Sequence, residues 1–390
     1  MARRDTRLAA AWHRRTGPRP LALHLAQALL AWGSGGDAAG GAAAAADERR
    51  LAAFLRGLRV YRDHPYRRDL PEPPARWRRG TTRLLDYGRP GADGAPVLAV
   101  PSLVNRAYIL DHTRERSLLR HLAGLGLRPL LVDWGEPGRE ELGFTLSDYV
   151  VGRLEPALEA ARGLAGGRPP VVLGYCMGGL LALALAERRA ADVAGLALLA
   201  TPWDFHAAGA PGGGPGGFLA AAGRPASRAV AALGRMPPTL LQALFAGLDP
   251  LGAARRYARL AALAGDGAAV RTFVALEDWA NDGVPLAAPV AEECLLGWYG
   301  LNTPGRGRWR VGGRRVRPEA VRLPAFVAVP ERDRIVPPAS AVALARALPG
   351  AELHAVAAGH VSMVAGPAAP VRLWPPLAAW LRRFGAAMQK

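Results

Sequence analysis

Pro169-Pro170-Val171-Val172-Leu173-Gly174-Tyr175-Cys176-Met177-Gly178-Gly179, followed by Leu180-Leu181-Ala182-Leu183-Ala184-Leu185-Ala186-Glu187, is the stretch that decides the fold. The first half is a short apolar run that closes on glycine, as a buried strand does. The second half has strong helix propensity and no breaker. A strand, a one-residue apex and a helix make the sharp turn on which a covalent nucleophile is displayed. The flanking glycines let strand and helix approach closely, and the new helix aims its positive N-terminus at the apex. Most such turns carry a hydroxyl; here the apex is a thiol, Cys176, which points to covalent acyl transfer.

Outward from this turn the chain alternates strands and helices. Apolar runs occur at Val97 to Val100, Pro129 to Trp134, Val171 to Leu173, Gly195 to Ala200, Ala325 to Val329 and Ala351 to Val356. Most are too continuous for half-exposed strands, which predicts a doubly wound, mainly parallel α/β sheet covered on both faces. Helical patterns fall between them, at Glu115 to Leu125 and Leu146 to Leu164. The spacing gives four sections: an N-terminal helical and extended region (1–85), the first part of the α/β core (86–205), an insertion (206–320) and the second part of the core (321–390). The first section holds an apolar helix, a Gly/Ala linker from Gly33 to Ala46, a second helix and a Pro- and Arg-rich extended stretch. In the insertion a Gly/Pro-rich loop, Gly209 to Gly217, leads into helices carrying Leu240, Leu241, Leu244 and Phe245. It is too long for an ordinary loop and is expected to form a helical cap that excludes water. A last helix is expected around Leu377 to Phe384.

With 390 residues, half of them hydrophobic, the chain is long enough to bury a large core. Its formal charge is +18, yet 49 of the 50 basic residues are arginine, in a chain rich in Ala, Gly and Pro. That skew fits codon bias, and the arginines are scattered apart from small clusters such as Arg76-Trp77-Arg78-Arg79 and Arg314-Arg315. No nucleic-acid partner is expected, although a diffuse positive field would draw in an anionic substrate. The two cysteines, Cys176 and Cys294, have no spacing that suggests a disulfide framework or a zinc site, and no metal or cofactor is expected. A thiol nucleophile fits a reducing cytoplasm. The segment Leu21 to Trp32 superficially resembles a signal peptide, but His24 and Gln27 interrupt it and an amphipathic helix is expected; no run has the apolar length of a transmembrane helix.

A cysteine at such an apex needs a base and a group to orient that base. In this architecture the acid and then the histidine follow at the carboxyl ends of later strands. After Ala325 to Val329 comes Pro330-Glu331-Arg332-Asp333-Arg334-Ile335-Val336-Pro337-Pro338, which offers Asp333 as the acid and Glu331 as the alternative. After Ala351 to Val356 comes Ala357-Ala358-Gly359-His360-Val361, which offers His360 as the base. His354 lies inside a strand, and His112, His121 and His206 lack the Gly-His setting. Cys294 reads as a small core residue. Attack on a thioester puts charge on its carbonyl oxygen, so an oxyanion hole is needed. The Met177 N–H supplies one donor, and the loop Pro101-Ser102-Leu103-Val104-Asn105 the other, with Val104 first and Leu103 next.

At this point the residues resemble the polyhydroxyalkanoate synthases, especially the catalytic subunit of their class III branch, within the α/β-hydrolase superfamily. The resemblance rests on Gly174-Tyr175-Cys176-Met177-Gly178-Gly179 and on Asn105-Arg106-Ala107-Tyr108-Ile109-Leu110-Asp111, with Arg106 where lysine is more usual. Leu131-Val132-Asp133-Trp134-Gly135-Glu136-Pro137, Asp333 with Ile335-Val336-Pro337-Pro338, and Gly359-His360-Val361 complete it. It covers residues 60 to 385. It implies the α/β-hydrolase fold and polymerisation of (R)-3-hydroxyacyl-CoA on Cys176, with CoA released. His360 would activate the thiol, and Asp333 with His360 the 3-hydroxyl that extends the chain. The implied partners are the hydroxyacyl-CoA substrate, a polyester granule surface in the cytoplasm, and either a second synthase subunit or another copy of this chain. A hydrolase on the same scaffold, either an intracellular depolymerase or an acyl-CoA thioesterase, would use the same three residues. A non-catalytic granule protein is a third reading.

Overall fold

The computed structural model describes residues 15–33, 41–89, 94–207, 214–263 and 267–386. Eight strands form one sheet: β1 (Ala75–Arg79), β2 (Thr82–Asp86), β3 (Pro96–Val100), β4 (Arg128–Asp133), β5 (Val171–Tyr175), β6 (Gly195–Leu199), β7 (Ala325–Pro330) and β8 (Glu352–Val356). Their spatial order is β1-β2-β4-β3-β5-β6-β7-β8. From β4 to β8 every neighbouring pair is parallel, while β1 and β2 join the β4 edge antiparallel.

All six apolar runs of the sequence are strands of this sheet. β3, β5, β6 and β7 are buried along their whole length, as parallel strands covered on both faces must be. β8 is an edge, and exposes Glu352 and Leu353 accordingly. The flanking helices are built from the expected local chemistry. Ser117 caps Leu118–Gly124 by accepting from the Arg120 N–H, and Thr145 and Asp148 form a capping box at Leu146.

Two strands and two helix starts were not visible as such in the sequence. β1 reads Ala-Arg-Trp-Arg-Arg, almost wholly exposed, so no apolar run announced it. It is held by its pairing with β2, whose Thr82, Leu84, Leu85 and Asp86 are buried. The Gly/Ala linker is shorter than its composition suggested: a helix begins at Gly41, because the alanine run is the best of helix formers. The remainder of that linker, 34–40, lies outside the described residues. So does 208–213 of the Gly/Pro-rich loop, after which a helix starts at Gly214.

By compactness the chain divides into two units, Asp69–Leu248 with Asp282 onward, and the residues up to Arg68 with Asp249–Asn281. The smaller unit is helical, built from Leu21–Trp32, Gly41–Asp63, Gly252–Ala262 and Gly267–Asn281. Its core joins Ala28, Phe54, Tyr61, Tyr257, Leu260 and Val274, and Arg15 clamps Asp278 with two bonds of 2.6 Å. Among the described residues no helix is long and apolar enough to cross a membrane.

Candidate active site

Cys176 stands between β5 and a 12-residue helix, Met177–Arg188. Its backbone lies at φ 55° and ψ −127°, a region that L-residues avoid and that costs of order 1–3 kcal/mol. The strain is held by hydrogen bonds on both sides: the Cys176 N–H donates to Leu199 O at 2.8 Å, and its carbonyl accepts from the Gly179 N–H at 2.9 Å. Close approach explains the glycines. A Cβ on Gly174 would sit 2.4 Å from the Gly179 Cα, and one on Gly178 would sit 2.2 Å from the Val100 carbonyl oxygen. Any side chain there would push the helix off the strand and move the apex.

The loops after β7 and β8 bring the other two residues to the same end of the sheet. Asp333 is buried, and its two oxygens have separate tasks. Oδ1 accepts from the Ile335 and Val336 N–H groups at 2.8 and 2.9 Å, while Oδ2 meets His360 Nδ1 at 2.6 Å. The imidazole lies beside the Cys176 side chain. Burial alone would push His360 down. The charges of Cys176 and Asp333, together with the hydrogen bond to Asp333, outweigh it and raise the ring to about 10. The ring therefore holds its proton between the Cys176 sulfur and the Asp333 carboxyl. Glu331, the alternative acid, is exposed.

Tyr175 was not singled out in the sequence, where it reads as the last residue of a buried strand. Its ring packs on His360 at 5.4 Å between centroids with a 33° tilt, and its hydroxyl donates to the His360 carbonyl at 3.3 Å. Ser362 is another support, accepting from the Gly359 N–H at 2.9 Å. Tyr299 is a third. Burial first, and then the charges of Cys176, Cys294 and Asp333, push its phenol well above the ordinary tyrosine range. Its hydroxyl keeps its proton.

The loop after β3 is less simply arranged. The Met177 N–H opens the helix and has no intrahelical partner. The Val104 N–H instead donates to Ser102 Oγ at 3.3 Å, and its carbonyl accepts from Val284. Leu103 is buried in the core. Arg106 pairs with Glu136 and, at 3.4 Å, with Asp282, which also accepts from Tyr108 Oη at 3.2 Å. Asp111, fully buried, is held by Ser117 at 2.6 Å and by Arg120 at 2.7 and 3.0 Å. Asp133 pairs with Arg83, and Trp134 Nε1 donates to Pro101 O at 3.0 Å. The acidic residues of these two stretches brace the loop and do not reach the thiol.

The other histidines are engaged elsewhere: His354 Nε2 bonds the Arg372 carbonyl at 3.0 Å, His206 Nε2 the Tyr299 carbonyl at 2.9 Å, and His121 packs on Trp374. Cys294 is half-buried within the π-helical turn Glu293–Gly300.

Residues 96–367 match the family model described as alpha/beta hydrolase fold. Among curated proteins, the poly(3-hydroxyalkanoate) polymerase subunit PhaC of Synechocystis sp. is 31% identical over 291 residues, which is 73% of this chain and 77% of that protein. The subunit of the same name from Haloferax mediterranei is 30% identical over 73% of this chain; the match spans 58% of that longer protein. Among solved structures, a monoacylglycerol lipase from Paleococcus ferrophilus superposes with a TM-score of 0.50 at 16% identity, over 78% of this chain and 99% of that one, a likeness of fold alone.

Proposed function

The chain belongs to the alpha/beta hydrolase fold family and, within it, to the poly(3-hydroxyalkanoate) polymerases, and from that premise we propose that it polymerises (R)-3-hydroxyacyl-CoA through an acyl thioester on Cys176. The observation that carries the reading is the strained thiol beside an imidazole whose far nitrogen is fixed by a buried carboxylate.

The steps follow from that geometry. The Cys176 thiolate attacks the thioester carbonyl, and the carbonyl oxygen takes the charge. Met177 N–H is one donor toward it; Val104 N–H is the second, once the long bond to Ser102 Oγ gives way. The intermediate collapses with cleavage of the carbon–sulfur bond to CoA, and His360 gives its proton to the departing CoA thiolate. The acyl group is now a thioester of Cys176. The 3-hydroxyl of a second hydroxyacyl group then loses its proton to His360, which Asp333 holds in place, and its oxygen attacks that thioester. An ester bond forms, Cys176 is released and its thiolate pairs again with the imidazolium. A thioester suits this exchange, since it is formed readily from CoA and remains reactive toward an alcohol.

Polymerisation in place of hydrolysis requires water to be kept out. Within the insertion at 206–320 we ascribe that task to Pro238–Leu248 and Glu293–Gly300, which belong to the same unit as the three residues. The same reading places the protein at a polyester granule in the cytoplasm, with a second synthase subunit or another copy of itself as partner.

Incubation of the purified protein with (R)-3-hydroxybutyryl-CoA tests the reading. CoA release accompanied by high-mass polyester is expected. Release accompanied by free hydroxy acid alone would overturn it in favour of a hydrolase.

A further inference from the structure

Arg306-Gly307-Arg308-Trp309-Arg310-Val311-Gly312-Gly313-Arg314-Arg315-Val316-Arg317 places six arginines in twelve residues, with no acidic residue among them. Read along the chain, Arg314-Arg315 is a small cluster; folded, the segment gathers the whole set. Arg310–Val311 and Arg314–Arg315 are the two strands of a hairpin, closed by Gly312 and Gly313 at φ 54° and 77°. Positive φ at both central residues is the tight hairpin turn whose twist matches its strands. The apolar residues Trp309, Val311 and Val316 point inward and are buried, and all six arginines are exposed.

The register sets Arg310 directly opposite Arg315. Like charges in that position repel and weaken a hairpin. The neighbouring carboxylates do not relieve it, because they are committed to other arginines. Glu155 binds Arg188, which lies against Gly312 and Val311, and Glu187 binds Arg317, the one arginine of the six with a carboxylate partner among the described residues. Among the described residues no carboxylate lies within ion-pair distance of Arg306, Arg308, Arg310, Arg314 or Arg315; Arg310 reaches only the Gly313 carbonyl. Codon bias accounts for arginine in place of lysine, but not for this placement.

The hairpin is seated far from the thiol. Gly312 N–H donates to Ser147 Oγ, and Arg188 donates to the Val311 carbonyl. Arg188 ends the helix that Met177 begins, and twelve residues at 1.5 Å each separate the two ends by about 18 Å. The hairpin therefore lies at the opposite end of that helix from Cys176.

We propose that the hairpin is a docking surface for the phosphodiester backbone of nucleic acid, bound without regard to sequence. Its exposed face holds guanidinium groups, suited to paired contacts with phosphate oxygens. It exposes no aromatic or aliphatic side chain, so it lacks the apolar face that seats a helix or hairpin in a lipid surface and the apolar centre of a protein interface. A two-stranded ribbon is also narrow enough to enter a DNA groove.

The test uses the full chain and a fluorescein-labelled duplex of about 20 base pairs, a length chosen to span two helical turns. Binding is followed by anisotropy across a salt series for three proteins: the unaltered chain, Arg310→Gln/Arg314→Gln/Arg315→Gln, and a charge-matched control, Arg49→Gln/Arg56→Gln/Arg59→Gln. The hairpin variant is expected to flatten the slope of log K against log salt by about 2 to 3, at roughly 0.9 per lost phosphate contact. The control is expected to leave the slope near that of the unaltered chain, and CoA release by the hairpin variant is expected to be unchanged, which also reports that it has folded. Equal losses in the two variants would reduce the effect to net charge and overturn the proposal. So would absence of duplex binding at low salt, or hairpin-dependent binding of phosphatidylglycerol vesicles in place of the duplex.

Discussion

Cys176 and Cys294 are the same side chain in two surroundings. Cys294 sits in a π-helical turn, where burial and then the charge of Glu293 push its thiol well above the ordinary range, so it keeps its proton. Cys176 sits on a strained apex at the start of a helix, beside an imidazole that is itself raised to about 10. The same side chain is therefore set in opposite surroundings. The elbow supplies hydrogen bonds that hold the strain on both sides of the residue, a positive helix end and a neighbouring imidazole; the turn at Cys294 supplies none of these and adds a carboxylate.

The sharpest way to break the contrast is to remove each sulfur in turn. Cys176→Ala is expected to lower CoA release by roughly 10⁴-fold or more, as loss of a covalent nucleophile does. Cys294→Ala is expected to leave it within about twofold, the range of a tolerated surface or near-surface change. Activity surviving the first change would remove Cys176 from the reaction. Asp333→Asn comes next. The side chain keeps its size but loses its charge and offers His360 the wrong hydrogen-bond partner, so turnover is expected to fall by about 10²- to 10⁴-fold. Glu331→Gln, altering an exposed group, serves as its control.

The raised ring of His360 has a smaller consequence for stability. A histidine with an ordinary value near 6.5 binds its proton more tightly folded than unfolded when its folded value is about 10. That stabilisation is fully present below the unfolded value and is lost as pH rises through about 10. The melting temperature of the unaltered protein is expected to fall between pH 7 and pH 10, and to fall less in His360→Gln. Equal slopes in the two proteins would mean that the ring is not held charged.

What the sequence made legible follows from which forces act locally. β3, β5, β6 and β7 could be read because parallel strands covered on both faces are buried and apolar throughout, whereas β8 is an exposed edge. The elbow could be read because two glycine contacts, Gly174 on Gly179 and Gly178 on Val100, leave no room for a Cβ. Asp333 and His360, which meet at 2.6 Å, each follow a strand closely, which is why the sequence offers them as a candidate acid and base. β1 could not be read, since its arginines are exposed and its order comes from pairing with β2. Nor could the engagement of Val104 N–H by Ser102, which depends on a hydroxyl rotamer two residues away. The hairpin at 310–315 escaped for a similar reason: the glycines mark a turn, but the uncompensated charge appears only once the nearby carboxylates are seen to be taken.

The smallest effect tests the support beneath His360. Tyr175 contributes a ring that packs on the imidazole and a hydroxyl that donates to the same residue's carbonyl. Tyr175→Phe keeps the ring and deletes the hydrogen bond, at a cost of about 0.5–1.5 kcal/mol in stability. The bond is long at 3.3 Å, which points to the lower part of that range. Since the freed carbonyl belongs to the backbone that carries His360, the loss should appear as a lower melting temperature and a modest fall in turnover, with the substrate concentration at half-saturation unchanged. Tyr175→Leu removes the packed ring as well and is expected to lower turnover further. If the two variants lost turnover equally, the hydroxyl alone would be what positions His360, and the ring would merely fill space.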